Sequence, residues 1–139
     1  MPPRTIIVER DAEISMRDGT ILRADVYRPD TPKALPVLLQ RTPYGKAFAN
    51  TSFSLMAAER DYVVVVQDTR GRWASEGDGY PFIHEKLDGY DTVEWAARQP
   101  WADGQVGMFG MSYVGYTQFA AAVTRPPSLK TIIPGVTFC

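Results

Sequence analysis

Short apolar runs separated by polar, proline- and glycine-rich stretches dominate this chain, and their periods change along it. Residues 13–16 and 21–27 read as two strands. They flank Arg17-Asp18-Gly19-Thr20, and Asp-Gly between two such runs is a hairpin turn signal. Residues 28–36 hold three prolines and read as a loop. Val37-Leu38-Leu39 is a short apolar strand, residues 41–50 are irregular, and residues 53–60 have helical composition. Residues 62–66 are β-branched and apolar without alternation, the pattern of a buried central parallel strand. A long glycine-rich loop spans 68–83. Leu87, Tyr90, Val93 and Ala97 then keep helical spacing until Pro100 stops them. Residues 106–109 form the next strand. A small-residue helix follows through 119–123 to the Pro126-Pro127 break, and residues 131–133 are a last strand.

A leading hairpin followed by strand–helix alternation predicts an α/β fold with a mostly parallel sheet. Such sheets bind ligands beyond the carboxyl ends of their strands. Tyr44, Asp68 and Ser112 each follow a predicted strand directly, so all three are expected on that one rim.

Composition narrows the field. The 139 residues fit one domain with a real core and are too few for two. The net charge of −1 leaves no basic stripe, which argues against nucleic acid. No apolar run is long enough to span a membrane, and Met1-Pro2-Pro3-Arg4 lacks the apolar stretch of a signal peptide. The only cysteine is Cys139, so an internal disulfide is ruled out and a cytoplasmic location is expected. One cysteine and one histidine argue against a structural zinc site.

The candidate chemistry lies at Gly110-Met111-Ser112-Tyr113-Val114-Gly115. An apolar strand ends at a glycine, a serine follows at the tip, and a helix begins at once. This order is that of a nucleophile elbow, which holds the serine Oγ at the carboxyl end of a sheet beside the first amides of a helix. A Cβ at 110 or 115 is expected to crowd the turn or the helix against its strand. The usual spacing is Gly-x-Ser-x-Gly, whereas here Val114 displaces the second glycine by one residue. The plainer alternative is that Ser112 caps the helix.

The linked motifs resemble the cocaine esterase/X-Pro dipeptidyl-peptidase family of α/β-hydrolases, in its amino-terminal part. The matching residues are Met16-Arg17-Asp18-Gly19, Asp25-Val26-Tyr27-Arg28-Pro29 and Arg41-Thr42-Pro43-Tyr44. Gln67-Asp68-Thr69-Arg70-Gly71 with Ser75-Glu76-Gly77, Asp91-Thr92-Val93-Glu94-Trp95 and Gly104-Gln105-Val106-Gly107 follow in order. The late glycine of the elbow is the family's own variant, and the esterase branch is the more similar. The resemblance implies an α/β-hydrolase fold over residues 1–139, with an amino-terminal antiparallel hairpin. It implies Ser112 as nucleophile, the Tyr113 amide as one oxyanion donor and the Tyr44 hydroxyl as the other. It implies a small ester or short peptide substrate, with neither metal nor cofactor. A phenol donates a hydrogen bond at neutral pH without ionising, so Tyr44 suits that part. Without the motif around it, Tyr44 reads as a loop aromatic packed under Pro43.

Other residues fit less well. His84 precedes Ser112, whereas α/β-hydrolases run serine, acid, histidine along the chain, so His84 is expected to be a surface or loop residue. Asp68 is out of order as the acid for the same reason. With Arg70 and Glu76 it is expected to form a network that holds the long loop. Trp73, Trp95 and Trp101 read as packing residues, with Trp73 alone, in the rim loop, a candidate for touching substrate, and Asp91 and Glu94 read as the exposed face of a helix.

The family's acid and histidine, its helical cap and its carboxyl-terminal β-sandwich have no counterpart within these residues. The chain is therefore expected to be the amino-terminal part of a larger hydrolase, ending after the strand that follows the elbow helix. An open edge on that strand predicts self-association. The alternatives are a complete small protein whose edge is covered by a partner, or a catalytically incomplete module serving binding or assembly.

Overall fold

The computed structural model of the chain describes residues 3–137; Cys139 lies outside them. Six strands form one mixed sheet in the order β1-β2-β4-β3-β5-β6. The hairpin is β1 (Ile6–Ser15) and β2 (Ile21–Pro29), paired antiparallel. Then come β3 (Leu35–Thr42), a 3-10 turn (Lys46–Phe48), α1 (Thr51–Glu59) and β4 (Val63–Asp68). The remaining elements are α2 (Glu85–Ala97), β5 (Ala102–Met111), α3 (Tyr113–Ala122) and β6 (Leu129–Gly135). β3 pairs parallel with β4 and β5, and β5 parallel with β6. β2 runs antiparallel to β4. The run read at 62–66 is thus central as β4, but Tyr62 is exposed ahead of the strand and only one of the strand's two neighbours is parallel.

Alternation along β4 shows how the layers are built. Val63 and Val65 face one core with Val37, Leu39, Val106 and Met108, closed by Val93 and Ala96 of α2 and Ala121 of α3. Val64 and Val66 face the other, with Tyr27 and with Ala57 of α1. A strand buried on both faces needs apolar residues at every position, which is why the period-2 signal vanishes there. Trp95 and Trp101 meet edge-on at 6.1 Å and pack against the larger core, as packing residues should.

The buried face of α2 differs from the Leu87 stripe read in the sequence. Leu87 is exposed, while Glu85, Asp88, Gly89, Thr92, Val93 and Ala96 are buried. The reason is charge: α2 packs over Arg41 and Arg70, so its carboxylates turn inward. Asp88 takes both Nε and Nη2 of Arg70, at 2.8 and 2.7 Å. Asp91 and Glu94 are not a free solvent face either. Asp91 binds Arg17, and Glu94 accepts from the Ser128 amide and hydroxyl. At Gly89 a Cβ would stand 2.8 Å from the Ala121 Cβ, so α2 and α3 lie in close contact.

The connections place the rim. The chain runs from β3 to β4 on one side and then back to β5 on the other side of β3. Such a reversal leaves a crevice beyond the carboxyl ends of these strands. Tyr44, Asp68 and Ser112 all lie at those ends. Among the described residues, no helix is long and apolar enough to cross a membrane.

Candidate active site

Ser112 occupies the junction between β5 and α3 with φ 60° and ψ −127°. This backbone state costs an L-residue about 1–3 kcal/mol and persists only where the surroundings impose it. Here they do. The Ser112 amide donates to Gly135 O at 2.9 Å, while Gly115 and Tyr116 donate to Ser112 O. Gly110 has φ 133°, and a Cβ there would lie 2.3 Å from Val114 Cγ1. A Cβ on Gly115 would lie 2.6 Å from Thr137 Cγ2 and 3.0 Å from Gly135 O. Both glycines are therefore required sterically, as the sequence suggested.

Gln118 completes the support, and the sequence analysis did not single it out. It is fully buried. Its Nε2 donates to the carbonyls of Gly110, Val114 and Ile133, and its Oε1 accepts from the Ile133 amide at 2.7 Å. One side chain thus ties α3 to β5 and β6 just below the serine. Its only sequence signal is a lone amide in the apolar stretch that opens α3.

The capping alternative fails on geometry. Ser112 makes no side-chain capping bond. Its Oγ instead lies 3.3 Å from the Tyr44 hydroxyl. Tyr44 is 55 % exposed rather than packed under Pro43. Its amide donates to Thr42 Oγ1 at 3.0 Å, which turns the chain as it leaves β3. Tyr113 opens α3, where the first amides have no acceptor within the helix. Its ring stacks on Phe82 at 4.9 Å, and its hydroxyl accepts from the Phe82 amide. Burial, reinforced by the nearby Glu85 carboxylate, pushes the Tyr113 phenol up to about 12.

A pocket of about 360 Å³ opens beside these groups. Tyr44, Tyr113, Tyr80, Phe82, His84 and Arg72 line it. His84 is a loop residue, as expected, half-buried in the pocket wall immediately before α2, and among the described residues it makes no hydrogen bond to Ser112.

Asp68 is also apart from Ser112. It is 1 % exposed and accepts from the amides of Lys46 (2.7 Å) and Ala74 (3.2 Å). Burial holds its carboxyl above the usual range against the pull of those two amides. Its partners are thus not Arg70 and Glu76. Arg70 binds Asp88, Asp18 and Thr20, and Glu76 accepts from the Ile21 amide. Trp73 does not line the pocket; its Nε1 donates to Pro43 O at 3.2 Å. Sequence reasoning also missed Lys46, whose Nζ lies buried between Asp11 (2.6 Å) and Asp25 (3.0 Å). Nothing in a loop lysine signals that its partners come from the hairpin. Among the described residues no three His, Cys, Asp or Glu side chains gather as a metal-ligand set.

Known proteins resemble this chain over nearly its whole length. Cocaine esterase of Rhodococcus sp. (strain MB1 Bresler) is 46 % identical over 134 residues, covering 93 % of this chain and 23 % of that protein. A CocE/NonD family hydrolase of Staphylococcus aureus superposes with a TM-score of 0.84 at 31 % identity, over 91 % of this chain and 27 % of that one. An α-amino acid ester hydrolase superposes with a TM-score of 0.80 at 30 % identity, over 96 % of this chain and 26 % of that one. The chain spans about a quarter of the length of these relatives. The family model for X-Pro dipeptidyl-peptidase (S15 family) matches residues 18–138. With that match running through hairpin, rim and serine junction alike, the chain belongs to the S15 family of hydrolases and has its α/β-hydrolase fold.

Proposed function

We propose that this protein is a serine hydrolase that cleaves an ester or amide through an acyl-enzyme on Ser112. The observation that carries this reading is the Tyr44 hydroxyl at 3.3 Å from an exposed Ser112 Oγ, on a junction held at positive φ. In the first step Oγ bonds to the substrate carbonyl carbon and its proton passes to a base. The carbonyl oxygen becomes an oxyanion and accepts from the Tyr44 O–H and the Tyr113 N–H. Collapse expels the alcohol or amine, which takes the proton. Water then attacks the acyl carbon, its proton passes to the same base, and as the bond to Oγ breaks that base returns the proton to Oγ, releasing the acid and restoring Ser112. The base and its orienting acid are expected after Ser112 in chain order. The pocket walled by Tyr80, Phe82 and Tyr113 suits the apolar part of an acyl ester or short X-Pro peptide. No step draws on a cofactor.

A second reading has its own observation. Among the described residues Tyr44 is the hydrogen-bond partner of Ser112 Oγ, with no imidazole on it. A serine without an adjacent base is a weak nucleophile, and the chain would then act as a binding or assembly module. One experiment separates the two. In the native protein a fluorophosphonate probe should modify Ser112 alone, and Ser112→Ala should lower kcat by about a million-fold. Labelling elsewhere, or turnover that survives the substitution, refutes the serine hydrolase reading.

A further inference from the structure

Tyr44 sits in a loop that is held from both sides by one other loop. Before it, Pro43 O accepts from Trp73 Nε1 at 3.2 Å. After it, the Lys46 amide donates to Asp68 Oδ1 at 2.7 Å. The second oxygen of Asp68 accepts from the Ala74 amide, so the same carboxylate also fixes the loop that carries Trp73. Lys46 cannot swing away, because its Nζ is locked between Asp11 and Asp25.

Both residues are expensive choices for mere loop support. Asp68 is 1 % exposed, and among the described residues no cationic side chain lies on its oxygens. Burying a carboxylate whose direct partners are amides, with the Lys46 charge helping only through space, costs stability that a neutral side chain would not. Trp73 has φ 48°, a strained state for a bulky residue, and its side chain is mostly exposed at 64 %. An indole so exposed gains little from burial; it meets Phe48 edge-on at 5.2 Å, a contact a phenyl ring could also make, and its one hydrogen bond among the described residues goes to the carbonyl preceding Tyr44. What the two share is Tyr44: one holds the peptide before it, the other the amide two residues after it.

We propose that Asp68 and Trp73 are positioning residues for Tyr44, fixing where its hydroxyl stands relative to the oxygen that becomes negative at Ser112. The inference rests on Tyr44 as an oxyanion donor. Such a donor works only within about 2.7–3.1 Å of the developing charge, so a loop free to shift by half an ångström forfeits much of its effect. Two anchors on either side of the residue remove that freedom.

The test is a set of double-mutant cycles in the native protein with p-nitrophenyl acetate, each variant also melted to check folding. Trp73→Phe removes the Nε1 donor and keeps an aromatic ring at an exposed position. It should lower kcat by about three- to tenfold, with KM little changed. Asp68→Asn keeps the shape but lets only one amide find an acceptor, and should cost about tenfold to a hundredfold. In a Tyr44→Phe background neither substitution should lower kcat further, because the group they position is gone. A purely structural role would give the same loss in both backgrounds. That additive result, or a Trp73→Phe protein with unaltered kcat, overturns the inference while Tyr44 keeps its part. Tyr44→Phe with unaltered kcat overturns the inference and the oxyanion part of Tyr44 but leaves the Ser112 acyl-enzyme standing, whereas a native protein that does not turn the ester over overturns the inference and the proposed function together. Trp73→Phe alone decides the matter if Asp68→Asn fails to fold.

Discussion

Ser112 and Tyr44 come from strands β5 and β3, yet their hydroxyls lie 3.3 Å apart because both strands end at one rim. Strain at Ser112 is tolerated because glycines flank it and three backbone hydrogen bonds hold its peptide groups. His84 shares the pocket but not the serine. His84→Gln should therefore leave kcat close to wild type and act, if at all, on KM, since a pocket wall affects binding rather than proton transfer. Steady-state kinetics on the native protein measure this directly. A loss comparable to that of Ser112→Ala would instead make His84 the base. At this scale the sequence was informative where a residue's neighbours in the chain create its environment, as around Ser112. For Asp68 it gave the part, holding the long loop, but not the partners, which are the backbone amides of Lys46 and Ala74 rather than the charged residues nearest in sequence.

The elements carry the second layer of control. Gln118 on α3 binds β5 through Gly110 O and β6 through both polar backbone groups of Ile133. Gln118→Leu preserves volume but leaves those buried groups without a partner, and should lower stability by about 2–4 kcal/mol. It should also slow fluorophosphonate labelling, because the junction above it loosens. Chemical denaturation and labelling rates test the two effects; unaltered stability would show that water replaces the side chain. Strand lengths were underestimated from sequence for a related reason. The run 37–39 is apolar, but β3 extends over Leu35–Thr42 because Gln40, Arg41 and Thr42 pair with Val66, Gln67 and Asp68 of β4. Their polar side chains hid strand positions that only the ladder reveals. Arg41 is fully buried, its Nε bound to Gln67 Oε1 at 2.6 Å and its Nη1 3.5 Å from Glu85.

Across the whole molecule, buried and half-buried ion pairs fasten the hairpin to the rest of the domain. Hydrogen bonds from Arg70, backed by the Thr20 amide, hold the Asp18 carboxyl well below its usual range. Burial opposes ionisation of Asp25, but bonds from Arg10, the Asp11 amide and Lys46 outweigh it and lower Asp25 too. Carboxyls lowered by folding add stability above their unfolded values, about 3.9 for Asp, and lose it as pH falls through the folded ones. Asp68 runs the other way: raised by burial, it favours folding more as it becomes protonated. The lowered groups outnumber it. The melting temperature should therefore fall as pH drops below about 5, and Asp18→Asn should shrink that fall while lowering the neutral-pH value. Thermal melts between neutral pH and pH 3 provide the check. A flat profile would mean that these pairs do not couple to folding.

The sequence by itself determined the order of elements, the rim on which Tyr44, Asp68 and Ser112 lie, and the glycines that the serine junction needs. These follow from local periodicity and from steric limits that act within a few residues of the chain. The motifs also placed the chain in its family before any contact was known. Only the tertiary structure decided which face of α2 is buried, which loop holds Tyr44 and what lies beneath the serine. Those outcomes depend on where charged groups from distant segments meet in a low-dielectric interior. There an Arg70–Asp88 pair at 2.7 Å or a buried Lys46 outweighs the hydrophobic pattern of the helix or loop that carries it.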